Sequence, residues 1–211
     1  EHSSGLPETD RTDIARSIRM QADELKRLVS NLLDLARMQN EGVRLNREWH
    51  ALDEVVGSAL ASAATFLSPR TIRTSLPADL PLVEIDATLI ERVLINLLDN
   101  AAKYTPETST ITLRGGAAGP SLYLVVEDDG PGLPPGDPET LFQPFARGQK
   151  ESAITGVGLG LALCRSIVAA HGGRIRAFAR QPHGAAFEIR LPLGTPPAIE
   201  AEPVSDHETR T

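Results

Sequence analysis

The fold is decided by the stretch ERVLINLLDNAAKY, which occupies residues 91–104. Helical spacing places five side chains of this region on one line, at steps of four, three, four and three; they are Leu89, Val93, Asn96, Asn100 and Lys103. An apolar stripe therefore leads directly into two carboxamides and an ammonium group. Carboxamide oxygens suit a hard cation such as Mg²⁺, and an ammonium suits a phosphate. A helix whose polar end simply reaches solvent is the alternative, and this stretch alone does not decide between them.

Two further stretches offer groups of the same kind. Asp128-Asp129-Gly130-Pro131-Gly132 follows a predicted strand, where a carboxylate accepts hydrogen bonds and glycines allow close approach to the backbone. Gly156-Val157-Gly158-Leu159-Gly160-Leu161 opens a helix, whose first N–H groups can bind phosphate. Taken singly, the first stretch also fits a plain turn and the second is a weak signal. The second is not a dinucleotide fingerprint, because its glycines lie at steps of two and no strand leads into it.

Length and composition exclude several classes of protein. The 211 residues have a formal net charge of −7, so bulk charge does not favour nucleic-acid binding. A hydrophobic content of 41% with 23% charged residues is typical of a globular chain. Cys164 is the single cysteine, which excludes an internal disulfide and a thiolate metal cage. The small-apolar stretch at 59–67 is far shorter than the roughly 20 residues of a membrane helix, so we expect this chain to be soluble.

Alternating short strands and helices after Gly42 predict an α+β two-layer sandwich. We expect helices at 53–66, 87–104 and 159–170, the first of them capped by Asp53. The predicted strands are 43–49, 71–76, 82–85, 110–114, 122–127, 174–180 and 185–191. A glycine-rich turn is expected at 115–119, and a long Gly- and Pro-rich loop at 131–158.

A long helix at about 12–39 precedes this predicted sandwich. Its apolar residues follow the 3.5-residue period of a coiled-coil seam, and a second apolar strip is formed by Val29, Leu33 and Ala36. One helix cannot bury two strips by itself, so the pattern favours pairing in a four-helix bundle. A helix lying against its own domain is the alternative. Three segments are therefore expected: the helical segment 1–42, the sandwich 43–193 and a disordered acidic tail 194–211.

Taken together and in this order, these motifs resemble the ATP-binding domain of sensor histidine kinases, which has the Bergerat fold. Asn96-x-x-x-Asn100 with Lys103-Tyr104 resembles the N box of that family, and Asp128-x-Gly130-x-Gly132 its first glycine box. The run at 141–148 resembles the F box, and the run at 156–161 the second glycine box. The resemblance covers about 46–192. The helix before it is similar to the second helix of the family's dimerisation and phosphotransfer hairpin.

The resemblance implies a role for each residue of these boxes. Asn96 and Asn100 hold Mg²⁺, while Lys103 and Arg147 face the phosphates of ATP as catalytic residues. Tyr104 lines the nucleotide, and Asp128 accepts a hydrogen bond from the adenine amino group. The remaining ATP-binding positions belong to the two glycine boxes; they are Gly130, Gly132, Gly156, Gly158, Leu159, Gly160 and Leu161. The implied activity is transfer of the γ-phosphoryl group of ATP to a histidine, and from there to an aspartate of a response regulator.

Three more stretches, at 49–60, 132–136 and 145–153, are similar to the potassium-responsive members of this family. They imply a part in potassium or osmotic-stress signalling, with a response-regulator receiver domain as partner. They also imply a homodimer formed through the helical bundle. The full-length protein is expected on the cytoplasmic side of the bacterial inner membrane, attached through an N-terminal part that this sequence lacks.

Two departures from the family pattern bear on the activity. The family's phosphoacceptor histidine is followed by an acidic residue and soon after by Thr/Ser-Pro, a context that none of the five histidines has; they are His2, His50, His171, His183 and His207. We therefore expect the sequence to begin after its substrate histidine and the catalytic base beside it. Ala185 stands where relatives often carry a threonine near the adenine.

Two other functions remain open at this point. ATPases of the gyrase, Hsp90 and mismatch-repair group share the fold, but they carry a water-activating glutamate where this chain has Asn96. Without that carboxylate, transfer to a docked histidine is favoured over hydrolysis. A nucleotide-binding interaction module without chemistry is the second possibility, and the four intact boxes argue against it.

Overall fold

The computed structural model describes residues 8–40, 44–146 and 158–195. The elements are α1 (Glu8–Asn40), β1 (Glu48–His50), α2 (Leu52–Leu67), β2 (Thr71–Ser75), β3 (Val83–Ile85), α3 (Ala87–Tyr104), β4 (Thr110–Ala118), β5 (Ser121–Asp128), a 3₁₀ helix (Pro138–Phe142), α4 (Gly160–Ala170), β6 (Arg174–Ala179) and β7 (Ala185–Pro192). The predicted tail from 196 onward lies outside the described residues. So do residues 1–7, 41–43 and 147–157.

The main sheet has five strands in the order β2-β4-β5-β7-β6, with β2 parallel to β4 and every other pair antiparallel. Helices α2, α3 and α4 carry the buried residues that pack with the sheet into one hydrophobic core. Phe142 of the 3₁₀ helix closes the core beside Phe187, with ring centroids 6.4 Å apart in an edge-to-face arrangement. The predicted α+β two-layer sandwich is confirmed.

Two predictions about the strands are wrong. The strand expected at 43–49 is confined to Glu48–His50, and it pairs with β3 in a separate two-stranded sheet. The glycine-rich turn expected at 115–119 is mostly strand, because β4 continues to Ala118 and leaves only Gly119 and Pro120 in the turn. Gly116 pairs with Tyr123 of β5, and this position needs a glycine because the Tyr123 ring fills the space beside it: a Cβ there would lie 2.6 Å from the Tyr123 hydroxyl oxygen.

Helix α3 has the predicted limits, and its start is defined by Asp86. The Asp86 carboxylate accepts from the N–H of Leu89 at 3.1 Å, as an N-cap does, and from the N–H of Asn46 at 3.1 Å. Helix α2 differs from expectation. It begins at Leu52 after Ala51, which makes no side-chain cap. Asp53, the predicted N-cap, lies in the first turn instead, where its carboxylate interacts favourably with the positive end of the helix dipole.

Helix α1 lies against its own domain, near α3 and α4. Six of its large apolar side chains are nevertheless between 46% and 62% exposed; they are Ile14, Ile18, Leu25, Val29, Leu32 and Leu33. The structure thus supports the contact with its own domain, and the residues that it describes leave these six side chains exposed. The four-helix bundle stays a prediction. Across the described residues, no helix has the length and hydropathy needed to cross a membrane.

Candidate nucleotide-binding site

Asn96 lies on the core side of α3 and is 6% exposed. Its Nδ2 donates to the main-chain oxygen of Arg92, one turn earlier, at 3.0 Å. This bond turns Oδ1 away from the helix and toward Gly160, the first residue of α4, where a Cβ would lie 3.2 Å from Oδ1. A glycine therefore leaves space in front of an oriented amide oxygen, which is a ligand that Mg²⁺ accepts.

The other N-box residues continue along the same helix. Asn100 is half-buried, and its side chain makes no hydrogen bond to any residue that the structure describes. Lys103 forms an ion pair with Asp99, whose Oδ2 lies 3.1 Å from Nζ. This ion pair holds the Lys103 ammonium against the preceding turn of α3. The four-residue spacing of Asp99 and Lys103 in the sequence could have predicted it. Tyr104 is the last residue of the helix and is 38% exposed.

Asp128 ends β5 and is 6% exposed. Its Oδ1 accepts from the N–H of Gly130 at 2.9 Å and from the N–H of Ala185 at 3.3 Å. Burial raises the pKa of Asp128 above its ordinary value, against the opposing effect of these two backbone hydrogen bonds. Because both bonds use Oδ1, no described group donates to Oδ2. The side chain is thus a fixed acceptor with one oxygen left for a ligand.

The first glycine box brings the end of β5 close to two other elements. A Cβ at Gly130 would lie 2.5 Å from Cγ2 of Thr105, the residue directly after α3. At Gly184, which precedes β7, φ is +113° and a Cβ would lie 2.0 Å from the main-chain oxygen of Asp128. Gly132 also has a positive φ, at +90°. Glycine is therefore required where α3, β5 and β7 meet.

The second glycine box joins the N box from the opposite side. Gly158 has φ +72° and accepts from the N–H of Phe145 at 3.0 Å. Leu159 is buried in the core at 4% exposure and makes no side-chain cap on α4, so its own side chain leaves the first N–H groups of this helix unbonded. Leu161 packs partly buried against the core.

The structure therefore places most of the expected site residues around one region. Asn96 and Gly160 face each other, and Gly130 contacts the end of α3. Arg147 and Gly156 lie outside the described residues, and their expected roles stay predictions. The sequence pattern did not single out the N–H of Ala185, which binds Asp128 through its main chain. That contact crosses from β7 to β5 and has no local signal.

A family model described as histidine kinase-, DNA gyrase B- and HSP90-like ATPase matches residues 85–195, more than half of the chain. The chain belongs to this family and has an ATP-binding domain of that type.

Within the family the similarity is to sensor histidine kinases. The chain is 52% identical to the sensor protein KdpD of Escherichia coli K12, over 88% of its own length. It spans about a fifth, 21%, of the length of that relative. The full-length structure of ShkA in complex with AMPPNP aligns with a TM-score of 0.76 at 25% identity, covering 92% of this chain and 41% of that one. ThkA in complex with the response regulator protein TrrA aligns with a TM-score of 0.72 at 26% identity, covering 90% and 53%. The chain is thus a histidine kinase catalytic domain homologous to KdpD, and its resemblance to sensor histidine kinases is confirmed.

Proposed function

We propose that this chain binds Mg·ATP and transfers the γ-phosphoryl group to a histidine on a dimerisation hairpin, as the catalytic part of a KdpD-like sensor kinase. The observation that carries the proposal is the amide oxygen of Asn96, oriented by its own helix toward the opening of α4 at Gly160. Asn100 lies one turn further along the same helix, so the two amides would hold the cation together. When bound, Mg²⁺ would neutralise the negative charge that develops on the phosphates during transfer.

The other residues then bind and orient the nucleotide. Asp128 would accept from the adenine amino group through Oδ2, since Oδ1 is already bonded to two N–H groups. Lys103 and Arg147 would face the phosphates, and Lys103 would exchange its ion pair with Asp99 for a phosphate oxygen. Tyr104 would line the nucleotide. The main chain at 158–161 would wrap the phosphates, and the other glycines of the two boxes, including Gly132 and Gly156, would bind the nucleotide.

Transfer to a histidine is favoured over hydrolysis because Asn96 is an amide and cannot take a proton from water. Among the described histidines, His171 is 2% exposed and both of its ring nitrogens are engaged, by the oxygen of Ile167 and the N–H of Asp86. Such a ring cannot approach a bound phosphate. His171 is thereby excluded, and His50 and His183 lack the sequence context of the family's acceptor histidine, so we place the acceptor on the hairpin helix that pairs with α1 in the assembled bundle.

This proposal extends to the assembly and its setting. The six exposed apolar side chains of α1 support a homodimer through a four-helix bundle, because the described part of the same chain does not cover them. The similarity to KdpD supports a response-regulator receiver domain of the KdpE kind as the phosphoryl acceptor from the histidine. It also supports a role in potassium or osmotic-stress signalling at the cytoplasmic side of the bacterial inner membrane.

The test combines binding with transfer. Titration calorimetry with Mg·AMPPNP is expected to show one site per chain, and Asn100→Ala is expected to remove Mg-dependent binding while circular dichroism stays unchanged. Incubation with γ-labelled ATP and a separate histidine hairpin is expected to label the hairpin, and then an added receiver domain. Rapid release of free phosphate without labelled hairpin would favour an ATPase. Binding without either product would favour an interaction module.

A further inference from the structure

A polar cluster centred on Arg92 joins α1 to α3. The guanidinium of Arg92 forms an ion pair with Asp34 of α1. It also donates to Oδ1 of Asn31 at 2.9 Å and to Oγ of Ser30 at 3.1 Å. Three acceptors within one turn or so of α1 thus converge on one side chain, which presents several N–H groups in a fixed plane.

The setting of this cluster differs from that of an ordinary surface ion pair. Asn31 is 4% exposed, although most of the described side chains of α1 are exposed. The side chains of Arg92 and Asp34 are 28% and 22% exposed. The Asp13–Arg16 pair on the same helix offers a contrast, because its side chains are 71% and 67% exposed. Partial burial and several charge-assisted hydrogen bonds make the Arg92 contact specific in its geometry, whereas exposed pairs contribute little.

Arg92 also borders the candidate nucleotide-binding site. Its main-chain oxygen accepts the hydrogen bond from Asn96 that orients the amide. One turn of α3 therefore has two contacts: the side chain of Arg92 binds α1, and its main-chain oxygen orients Asn96. Replacing this side chain would release α1 while leaving the Asn96 bond in place, because that bond uses the main chain.

We propose that Arg92 is a positioning residue that holds the ATP-binding domain in one orientation against α1. Its side chain and the acceptors Asn31 and Asp34 form a latch between the hairpin helix and the nucleotide helix. The inference rests on the proposed function in one respect. The helix that carries the acceptor histidine packs on the exposed apolar side chains of α1, so the histidine reaches the γ-phosphate only if the nucleotide pocket has a fixed position relative to α1. Such preorganisation acts on the rate of transfer and leaves nucleotide binding alone.

The first experiment measures the contact between Arg92 and α1 by hydrogen exchange, independently of phosphoryl transfer. Hydrogen exchange of the whole chain is expected to speed up in the peptides around 25–36 in Arg92→Gln and in Asp34→Asn, with α2 and the sheet unchanged. Arg92→Gln removes the guanidinium from all three acceptors and Asp34→Asn removes only the ion pair, so the double variant should behave as Arg92→Gln does. Charge reversal, Arg92→Asp with Asp34→Arg, should restore part of the protection. Asp13→Asn is the matched control on the same helix and should leave exchange in 25–36 as it is in the wild type.

The second experiment measures transfer to a separate histidine hairpin. Arg92→Gln is expected to lower kcat about 10- to 100-fold while KM for ATP and the Kd for Mg·AMPPNP stay within about twofold of wild type. Arg92→Lys should recover part of the rate, because an ammonium keeps the ion pair but lacks the planar set of donors. Exchange rates that add independently in the double variant, an unchanged kcat, or a raised kcat would each overturn the proposal. If the wild-type chain bound nucleotide but transferred nothing, the proposed function would fail, and the exchange experiment would still decide whether the latch exists.

Discussion

Gly160→Ala is a substitution that separates nucleotide binding from fold stability. Gly160 is the first residue of α4, and a Cβ there would lie 3.2 Å from Oδ1 of Asn96. This is closer than carbon and oxygen normally approach, so the amide would have to shift by a few tenths of an ångström away from its present direction. The alanine itself suits a helix, and relative to glycine it favours the helical state by up to about 1 kcal/mol.

We therefore expect Gly160→Ala to keep the thermal midpoint or raise it, and to weaken Mg·AMPPNP binding about 10- to 100-fold, the range found when a metal ligand loses its orientation. Titration calorimetry with and without Mg²⁺ measures the affinity, and calorimetric unfolding of the free protein measures the stability.

The matched control is Gly57→Ala in α2, where the glycine is exposed and nothing lies within 4 Å of the added Cβ. It should gain helix stability without any change in affinity. If Gly160→Ala bound Mg·AMPPNP as tightly as the wild type does, the assignment of Asn96 as a metal ligand through Oδ1 would be refuted.

Three further predictions concern single buried side chains. Burial lowers the pKa of His171, and its neutral ring donates from Nδ1 to the oxygen of Ile167 and accepts at Nε2. The unfolded chain therefore takes up the proton more readily than the folded one, so the free energy of unfolding should be fully retained above about pH 6.5 and should fall as the pH drops below it. Urea unfolding at several pH values measures the free energy of unfolding. The control His183→Gln, at an exposed histidine, should keep its pH dependence. The same pH dependence in His171→Gln would show that His171 is not its source. Asp128→Asn, which replaces an acceptor by a donor opposite the adenine amino group, should weaken AMPPNP binding by roughly 1–3 kcal/mol with a near-native melting curve; unchanged affinity would argue against Asp128 as the adenine acceptor. Burial raises the pKa of Cys164 to about 12, so a thiol reagent should modify it only at the rate of unfolding, and fast labelling of the native chain would show that the α3–α4 contact is open.

The sequence predicted the parts of the fold that are specified locally. Helix α3 has its expected limits because Asp86 caps one end, and Pro106 follows closely after the other. The four boxes could be recognised because each depends on residues within one short stretch. Two contacts between the boxes and α3, Asn96 with Gly160 and Gly130 with Thr105, then follow from the packing of α4 beside α3 and from the place of β5 in the sheet.

Features that depend on distant partners were not predictable in the same way. Gly116 lies in a strand through its pairing with β5, and the reason for a glycine there is the Tyr123 ring on that neighbouring strand. The separate sheet of β1 and β3 pairs residues more than thirty positions apart. Arg92 and Asp34 lie 58 positions apart in the sequence, on two different helices. In the sequence, each resembles an ordinary surface charge of an amphipathic helix. Local periodicity contains no information on such pairs.

The most direct test of the central claim is the fate of the γ-phosphoryl group. The whole chain is incubated with Mg²⁺ and γ-labelled ATP, once alone and once with a separate histidine hairpin of a KdpD-like kinase. We expect no label on this chain alone, and acid-labile, base-stable phosphate on the hairpin when both are present. Stoichiometric label on this chain that disappears with a single histidine substitution would contradict the account by placing the acceptor within these residues. Free phosphate as the only product would contradict the account as well.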